Sequence, residues 1–272
     1  GTENVAVTTT DPSTKKTTLT ARTLRTGVPF SDELTEDAII TMAAEIRRNL
    51  VRNASEVIDD VVLNADQTAA NGINSDGATI ATNTAGKAHW LLGFDGLIHL
   101  PLVDNTGQAK NLGSTITANA VYNQALRKLG KYVGARRGET VFVADVNTTV
   151  ATLALAQIET MEKIGARATI STGEVTQIYG TPLIRSQQMK LADADGKITS
   201  SGNATDTGRV LCFNTSQWRV GFPRNITVET EREASKGQST LYVSFRLALT
   251  ERTGTRSTAT HTSLVYNIGS VT

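Results

Sequence analysis

The sequence contains few of the residues on which catalytic and metal sites most often depend. It has 272 residues with a single cysteine, and its three histidines, His89, His99 and His261, lie far apart. The lone Cys212 excludes an intramolecular disulfide, and no Cys/His spacing typical of a zinc site occurs. Neither of the common glycine-rich phosphate-binding patterns is present. We therefore predict no enzymatic activity, no catalytic residues, no metal and no cofactor.

The charge balance and the lack of long apolar runs argue against two further classes of protein. A net charge of +1 gives no general attraction to nucleic acid or to a membrane surface. No run approaches the ~18 apolar residues of a membrane span, so we predict no membrane partner. The segment DADGKI resembles half of a calcium loop, but Gly202 stands where the closing glutamate belongs. We interpret this segment as a polar surface turn.

The most informative feature that is present is a long amphipathic segment, SDELTEDAIITMAAEIRRNLVRNASEVIDDVVLNAD, at residues 31–66. It predicts one helix of about thirty residues, ~45 Å long, with Ser31 or Thr35 as the N-cap. A helix of this length is too long to be enclosed by a small compact domain. We therefore predict that it is a strut, a rigid helix that supports an extended structure. Its apolar residues are spaced by three and four, which is typical of a helix with one buried face: Ile39, Met42, Ala43, Ile46, Leu50, Ala54, Val57, Ile58 and Val61.

Residues 1–30, which precede this helix, are rich in threonine and contain two β-prone runs, VAVTTT and TTLTARTL. The segment DPSTKK between them supplies a turn with Asp11, Lys15 and Lys16 near its tip. Such a hairpin has almost no apolar side chains of its own and is marginal in isolation. It is either a disordered tail or an arm that a neighbouring subunit stabilises, and the alternating β-branched pattern favours the arm.

The remainder predicts an α+β protein. Residues 67–94 contain turn residues and little periodicity, so they predict a long loop. Further along the chain, a helix is predicted to begin at Ser114 or Thr115. The strand ETVFVADV, a helix capped by Asn147, two strands joined by a Gly-Thr-Pro turn, and the strand GRVLCFN follow. From residue 216, two long runs in which apolar and polar residues alternate are separated by EASKG, and they predict a hairpin. The segment ATHTSLVYNI predicts a last strand. This order indicates two subdomains, the first interrupted by the second.

Four segments in this order resemble the major capsid proteins of tailed double-stranded-DNA phages, which have the Hong Kong 97-type shell fold. FSDELTEDAIITMAAEI and VLNAD resemble the junction of the E-loop and the spine helix, and GFDGL resembles a recurrent segment after the spine. NITVETEREASKGQSTLYVSFRLALTER resembles the long β-ribbon. GEVTQIYGTPLIRSQQM is similar to a strand pair of the family through Gly173, Ile178, Gly180, Pro182 and Ser186.

The resemblance implies a division of the chain. The N-terminal arm and E-loop would occupy residues 1–30, and the spine helix of the P-domain with its following loop residues 31–94. An inserted α/β A-domain would occupy residues 95–215, the β-ribbon of the P-domain residues 216–260, and the closing strand residues 261–272. The front end is shorter than in the family, and Gly1 would follow from maturation cleavage or from a numbering that begins at the ordered part.

The resemblance also implies function. The chain would be a structural protein that self-assembles into pentamers and hexamers of an icosahedral head, located in the virion capsid after assembly in the host cytoplasm. Its partners would be other copies of itself, portal, scaffolding and cement or decoration proteins, and packaged DNA bound without sequence preference. An encapsulin-like bacterial nanocompartment is the alternative with the same fold. An adhesin or tail-fibre module is a third interpretation, which the long helix opposes.

Two sets of charged residues are candidate site residues under this interpretation. Arg47, Arg48 and Arg52 on the spine helix would face DNA, although pairing of Arg48 with Glu45 and of Arg52 with Glu56 is the favoured explanation of their spacing. At the E-loop tip, Lys15 or Lys16 would be the donor where family members form an isopeptide cross-link. A solvated turn explains these lysines more simply, so we expect a shell without covalent cross-links.

Overall fold

The architecture comes from a computed structural model that describes residues 18–31, 33, 42–73, 89–134, 136, 138–153, 155, 177–198, 206–252 and 255–269. These residues form two sheets with helices packed against them, as expected for an α+β protein. The elements are β1 (Ala21–Ser31), α1 (Met42–Asn64), β2 (Ala109–Thr115), α2 (Gln124–Leu129), β3 (Thr140–Ala144), α3 (Val146–Leu153), β4 (Gln177–Ile178), β5 (Thr181–Arg185), β6 (Gly208–Asn214), β7 (Trp218–Glu233), β8 (Gln238–Glu251) and β9 (Thr262–Gly269).

The predicted ribbon is confirmed as β7 and β8, which pair antiparallel around a turn at residues 234–237. Alternate residues of β8, Leu241, Val243 and Phe245, are buried on one face, which explains the alternating pattern in the sequence. Strand β1 pairs with the other edge of β8 along its full length of 11 residues, giving the order β1-β8-β7. The ribbon is therefore the core of a three-stranded sheet.

The position of β1 corrects part of the arm prediction. The end of the run TTLTARTL forms the start of β1, which continues to Ser31. This strand pairs with β8 of the same chain. Leu24 and Phe30 pack against the main core, so contacts within the chain support this part of the arm. The first run and the tip with Asp11, Lys15 and Lys16 lie outside the described residues.

The strut is present as α1, which is 23 residues and therefore ~35 Å long. Its predicted apolar stripe is confirmed where the structure describes it, because Leu50, Ala54 and Val61 are buried in one core with the ribbon residues of β8. Ser31 is the last residue of β1 and Glu33 is helical, so the prediction that the helix includes Ser31 is wrong. Thr35 and Ile39 lie outside the described residues.

The end of α1 is capped by a distant segment of the chain. Four carbonyl groups at a helix C-terminus lack partners within the helix. Here the backbone N–H groups of Gly96, Leu97 and Ile98 donate to the carbonyls of Ala65, Val62 and Leu63 at 2.7, 2.9 and 3.1 Å. The segment GFDGL thus contributes directly to holding the strut, and its glycine at position 96 lies against backbone.

The second sheet has six strands in the order β2-β9-β6-β3-β5-β4. Strand β3 is buried on both faces: Val141 and Val143 join the core shared with α1, whereas Phe142 and Ala144 pack with α2. Such two-sided burial explains the continuous apolar run in this part of the sequence. The closing strand β9 lies between β2 and β6. The predicted division of the chain into domains stays a prediction.

Several predicted caps and turns are wrong by a few residues. Ser114 and Thr115 end β2, and the following helical segment is instead capped by the Thr117 hydroxyl, which accepts from the Ala120 N–H at 3.1 Å. Asp145, rather than Asn147, caps α3 by accepting from the Thr148 N–H at 2.8 Å. These differences share one cause, since several Ser, Thr, Asn and Asp residues stand near each helix start and packing selects among them.

The turn between β4 and β5 is also different from the prediction. It consists of Tyr179 and Gly180, both with positive φ, of 51° and 73°, and it precedes Thr181 and Pro182, which lie in β5. Two successive residues in the left-handed region are typical of a tight hairpin turn. Among the described residues, no helix combines the length and apolar content needed to cross a membrane.

Candidate functional site: a buried charged cluster and exposed surfaces

A cluster of charged side chains lies where the end of α1, the segment 95–104 and the loop after β8 meet. It contains Asp66, Asp95, His99, Asp104 and Arg256. Asp66 is fully buried and His99 is 6% exposed, so these charges are largely removed from water. Charges in such an environment are stable only when they are paired or bind a cation. The cluster therefore links three separate parts of the chain through charge.

His99 is the centre of this cluster. Its Nδ1 lies 3.3 Å from Asp66 Oδ2 and 3.9 Å from Asp95 Oδ1, and its Nε2 lies 3.3 Å from Asp104 Oδ2. Burial by itself lowers the pKa of His99, but the three neighbouring carboxylates outweigh this effect and leave the pKa above its ordinary value. Likewise, burial raises the pKa of Asp66, and hydrogen bonds and the His99 charge outweigh it, so the pKa is lowered.

Arg256 joins the cluster from the loop after β8. Its Nη1 donates to Asp95 Oδ2 at 2.7 Å, and its Nε lies 3.0 Å from Asp104 Oδ2 and 3.7 Å from Glu251 Oε1. One guanidinium thus neutralises part of the charge of three carboxylates. Arg256 lies five residues after the end of β8, so this contact fixes the base of the ribbon against the end of the strut.

A second buried contact continues from Glu251. His261 Nε2 lies 3.2 Å from Glu251 Oε2, and the His261 ring meets the Trp218 ring edge to face with centroids 5.7 Å apart. The Trp218 indole N–H donates to Thr262 Oγ1 at 2.9 Å. Trp218 begins β7 and Thr262 begins β9, so these contacts join the ribbon sheet to the six-stranded sheet.

Sequence reasoning missed this cluster because its members are separated by up to 190 positions. The local signal was the spacing of four residues between Asp95 and His99, whose side chains lie 3.9 Å apart in the structure. His89, the third histidine, stacks on Trp90 with ring centroids 4.0 Å apart and lies outside the cluster.

The structure places the spine-helix candidates on the exposed side of α1. Arg48 Nη1 lies 3.0 Å from Glu45 Oε2, and Arg52 Nε lies 3.1 Å from Glu56 Oε1. The local pairing predicted for both residues is therefore confirmed. Their side chains are 76% and 80% exposed, so each pair is worth only a few tenths of a kcal/mol. Arg47 is exposed beside them.

A second basic surface was not predicted from the sequence. Arg224 of β7 lies directly opposite Arg246 of β8, and both are exposed. Arg25 of β1 lies on the same face, with its guanidinium 4.5 Å from the centre of the Tyr242 ring. Like charges opposite each other in a sheet are unfavourable without an anionic partner. This face points away from the core that contains α1.

Exposed apolar side chains accompany these charges on the ribbon. Val220 and Phe222 of β7 are 45% and 46% exposed. Phe222 also lines a shallow groove of about 360 Å³, together with Ile58 of α1 and Ile226 of β7. Adjacent exposed apolar residues on a rigid element are typical of protein–protein contact surfaces.

Comparison with known proteins agrees with this architecture. The family model described as "Phage capsid family" matches residues 1–251. A chain of Microbacterium phage Oxtober96 has 15% identity and a TM-score of 0.57, with 91% of this chain and 72% of that chain covered. A search of curated protein sequences gives no significant match.

Two further solved structures have the same fold. A chain of the capsid of a native GTA particle has 11% identity and a TM-score of 0.59, covering 99% of this chain and 80% of that chain. A chain of the SrpI encapsulin complex from Synechococcus elongatus has 12% identity and a TM-score of 0.52, covering 92% of this chain and 74% of that chain. At these identities the likeness establishes the fold alone.

Proposed function

Because the chain belongs to the phage capsid family and is a structural protein of the capsid shell, we propose that it assembles into pentamers and hexamers that close an icosahedral phage head around double-stranded DNA. The observation that carries this proposal is the match of the family model over residues 1–251, together with the Hong Kong 97-type fold. The chain is a component of the virion capsid, and its fold is that of a shell subunit.

A shell subunit needs a rigid core and exposed surfaces that contact its neighbours, and the described residues contain both. The strut α1, the capping segment 96–98 and the ribbon share one buried core, so they move as a unit. The ribbon keeps Val220 and Phe222 exposed on this rigid unit, and we propose that neighbouring copies cover them. Burying apolar surface contributes roughly 25 cal/mol per Å², so many repeated small contacts stabilise a shell.

Light scattering coupled to size-exclusion chromatography tests self-assembly, with the full chain expressed and purified without denaturation. We expect a mass several-fold above the 29.0 kDa of one chain, which is the mass of a capsomer or a larger shell. The matched variant Val220→Ser plus Phe222→Ser should shift the distribution toward smaller species, whereas Val150→Ser, at an exposed position on α3, should not. An unchanged distribution in the double variant would remove these residues from the contact surface.

The encapsulin-like nanocompartment remains the alternative because the same fold occurs in the Synechococcus elongatus encapsulin complex. The two functions differ in what the shell encloses. Particles isolated from cells that produce them naturally should contain double-stranded DNA if the chain forms a phage head, and a folded protein cargo if it forms a nanocompartment. Ultraviolet absorbance and nuclease digestion of opened particles separate the two contents.

We further propose that DNA contact on the inner surface is independent of sequence, and that the ion pairs with Glu45 and Glu56 limit the contribution of Arg48 and Arg52, with Arg47 beside them, to this contact. We also propose that the portal, scaffolding and cement or decoration proteins are partners during head formation. DNA contact through phosphates weakens with increasing salt. Glu45 and Glu56 already neutralise Arg48 and Arg52 in part. The contact of the E-loop tip, with Asp11, Lys15 and Lys16, with a neighbouring subunit likewise stays a prediction.

The DNA proposal is tested by the salt dependence of particle stability. We expect Arg48→Ala plus Arg52→Ala to change the difference between full and empty particles only slightly, because both guanidiniums already have carboxylate partners at 3.0 and 3.1 Å. The matched variant is Arg224→Ala plus Arg246→Ala on the opposite face of the ribbon sheet. A large loss of salt dependence in the first variant would assign the DNA-facing surface to α1, and in the second to the ribbon.

A further inference from the structure

Three potential metal ligands converge at the end of α1. His99 Nδ1, a carboxylate oxygen of Asp66 and a carboxylate oxygen of Asp95 all lie within 4.8 Å of one another. Asp66 and His99 are buried, and Asp95 is half-buried. Imidazole nitrogen and carboxylate oxygen are both common ligands of divalent transition metals. The separation of the three atoms is close to that found around a single bound ion.

The Nδ1 atom of His99 has no hydrogen-bond partner, although the residue is only 6% exposed. It lies 3.3 Å from Asp66 Oδ2, which is an ion-pair contact rather than a hydrogen bond. A buried nitrogen without a directed partner is unfavourable, and more so when its lone pair faces carboxylates. The atom therefore needs a cation, either a proton or a metal ion.

The surroundings of the three ligands resemble the outer shell of a metal site. His99 Nε2 lies 3.3 Å from Asp104 Oδ2, and a carboxylate at the second ring nitrogen is the usual support of a metal-binding histidine. The Thr68 N–H donates to Asp66 Oδ1 at 2.7 Å. The Gln67 N–H donates to Asp95 Oδ1 at 3.1 Å. These contacts orient both carboxylates before any ion binds.

Charge balance gives the same indication. The cluster brings together four carboxylates, those of Asp66, Asp95, Asp104 and Glu251, with Arg256 as its one permanent cation. His99 and His261 are the two histidines beside them. Two of the four acids, Asp66 and Glu251, are buried, so a group of four acids beside one arginine favours additional positive charge, either on the histidines or on a bound cation. A divalent ion supplies this charge at the point where three ligand atoms already meet.

We propose that His99, Asp66 and Asp95 bind one divalent transition-metal ion, with Mn²⁺ and Zn²⁺ as the best-suited classes, and with water completing the coordination. The ion would join Asp66, two residues after the end of α1, to the two residues that flank the capping segment, Asp95 and His99, so it would stabilise the end of the strut within each subunit. This role is independent of shell assembly, and it can be tested on unassembled protein.

Metal binding is measured on the purified full chain after treatment with a chelator and its removal. We expect isothermal titration with Mn²⁺ or Zn²⁺ to reach saturation at one ion per chain and the melting temperature to rise on binding. His99→Gln and Asp95→Asn should each weaken binding by at least tenfold. His89→Gln and Asp59→Asn, which change the same residue types outside the cluster, should leave affinity unchanged.

A spectroscopic measurement on wild-type protein covers the case in which a variant does not fold. Pulsed electron paramagnetic resonance of bound Mn²⁺ should detect coupling to an imidazole nitrogen. The proposal is overturned if no ion binds, if binding is equal in His99→Gln, or if bound Mn²⁺ shows no nitrogen coupling. It is also overturned if protons alone, and no metal, change the stability of the wild-type protein.

Discussion

Gly96→Ala should destabilise the protein by about 3 kcal/mol, because a side chain at this position collides with backbone that cannot move aside. A Cβ atom on Gly96 would lie 2.9 Å from Ala65 N, Leu63 O and Val62 O. All three belong to the end of the strut, and Gly96 itself donates to Ala65 O at 2.7 Å. The substitution therefore adds overlap and weakens the hydrogen bonds that cap α1.

The matched control is Gly93→Ala, three positions earlier in the same GFDGL segment. There a Cβ would meet only Trp90 O, at 3.3 Å, and Arg22 Cγ, at 3.8 Å, so a small adjustment accommodates it. Thermal unfolding followed by circular dichroism should show a melting temperature roughly 6–12 °C lower for Gly96→Ala and little change for Gly93→Ala. Equal effects of the two substitutions would contradict the close packing of segment 96–98 on α1.

Arg209→Ala should have an effect of similar or larger size, about 3–5 kcal/mol. Arg209 is fully buried, and its Nε and Nη2 donate to Lys190 O at 2.9 and 2.5 Å while Nη1 donates to Gly196 O at 3.2 Å. Burial lowers the pKa of Arg209 to about 10, and the nearby Asp145 opposes this shift, so the side chain stays charged at neutral pH.

Removing this guanidinium leaves two carbonyl groups without their donors and the buried Asp145 without its positive neighbour. The turn at residues 193–196 would lose the hydrogen bond from β6 to Gly196 O, while the hydrogen bond from the Thr207 hydroxyl to Asp193 O would remain. Arg209→Met, which retains most of the volume, separates the loss of charge from the loss of packing. Arg219→Ala, at an exposed position on β7, is the control and should change stability by less than about 0.5 kcal/mol. A melting temperature for Arg209→Ala equal to that of Arg219→Ala would contradict this account.

The regular elements could be predicted from the sequence where one periodic pattern dominated. The stripe Leu50, Ala54 and Val61 predicted the strut, and alternation at Leu241, Val243 and Phe245 predicted the ribbon. Strand β2, AKNLGST, was missed because it has a single leucine and no alternation, and it forms through pairing with β9. Its stability comes from a tertiary contact rather than from a local pattern.

The candidate site was harder to predict because it depends on contacts between distant residues. Asp66, His99 and Arg256 are each ordinary in their own segments, and only the packing of α1 against the capping segment and the base of the ribbon brings them together. The correct helix cap Asp145 was missed for a similar reason, since it also accepts from the distant Arg209 N–H at 2.9 Å. Local propensity cannot distinguish it from Asn147 two positions later.

Electron microscopy of the purified full chain shows whether the protein is a subunit of a closed shell. We expect closed, roughly spherical shells, or rings of five and six subunits, in which each subunit contributes one strut and one ribbon. These particles should form over a range of salt concentrations at micromolar protein. Micrographs that show only separate 29.0 kDa molecules under all of these conditions would contradict the assignment as a shell subunit.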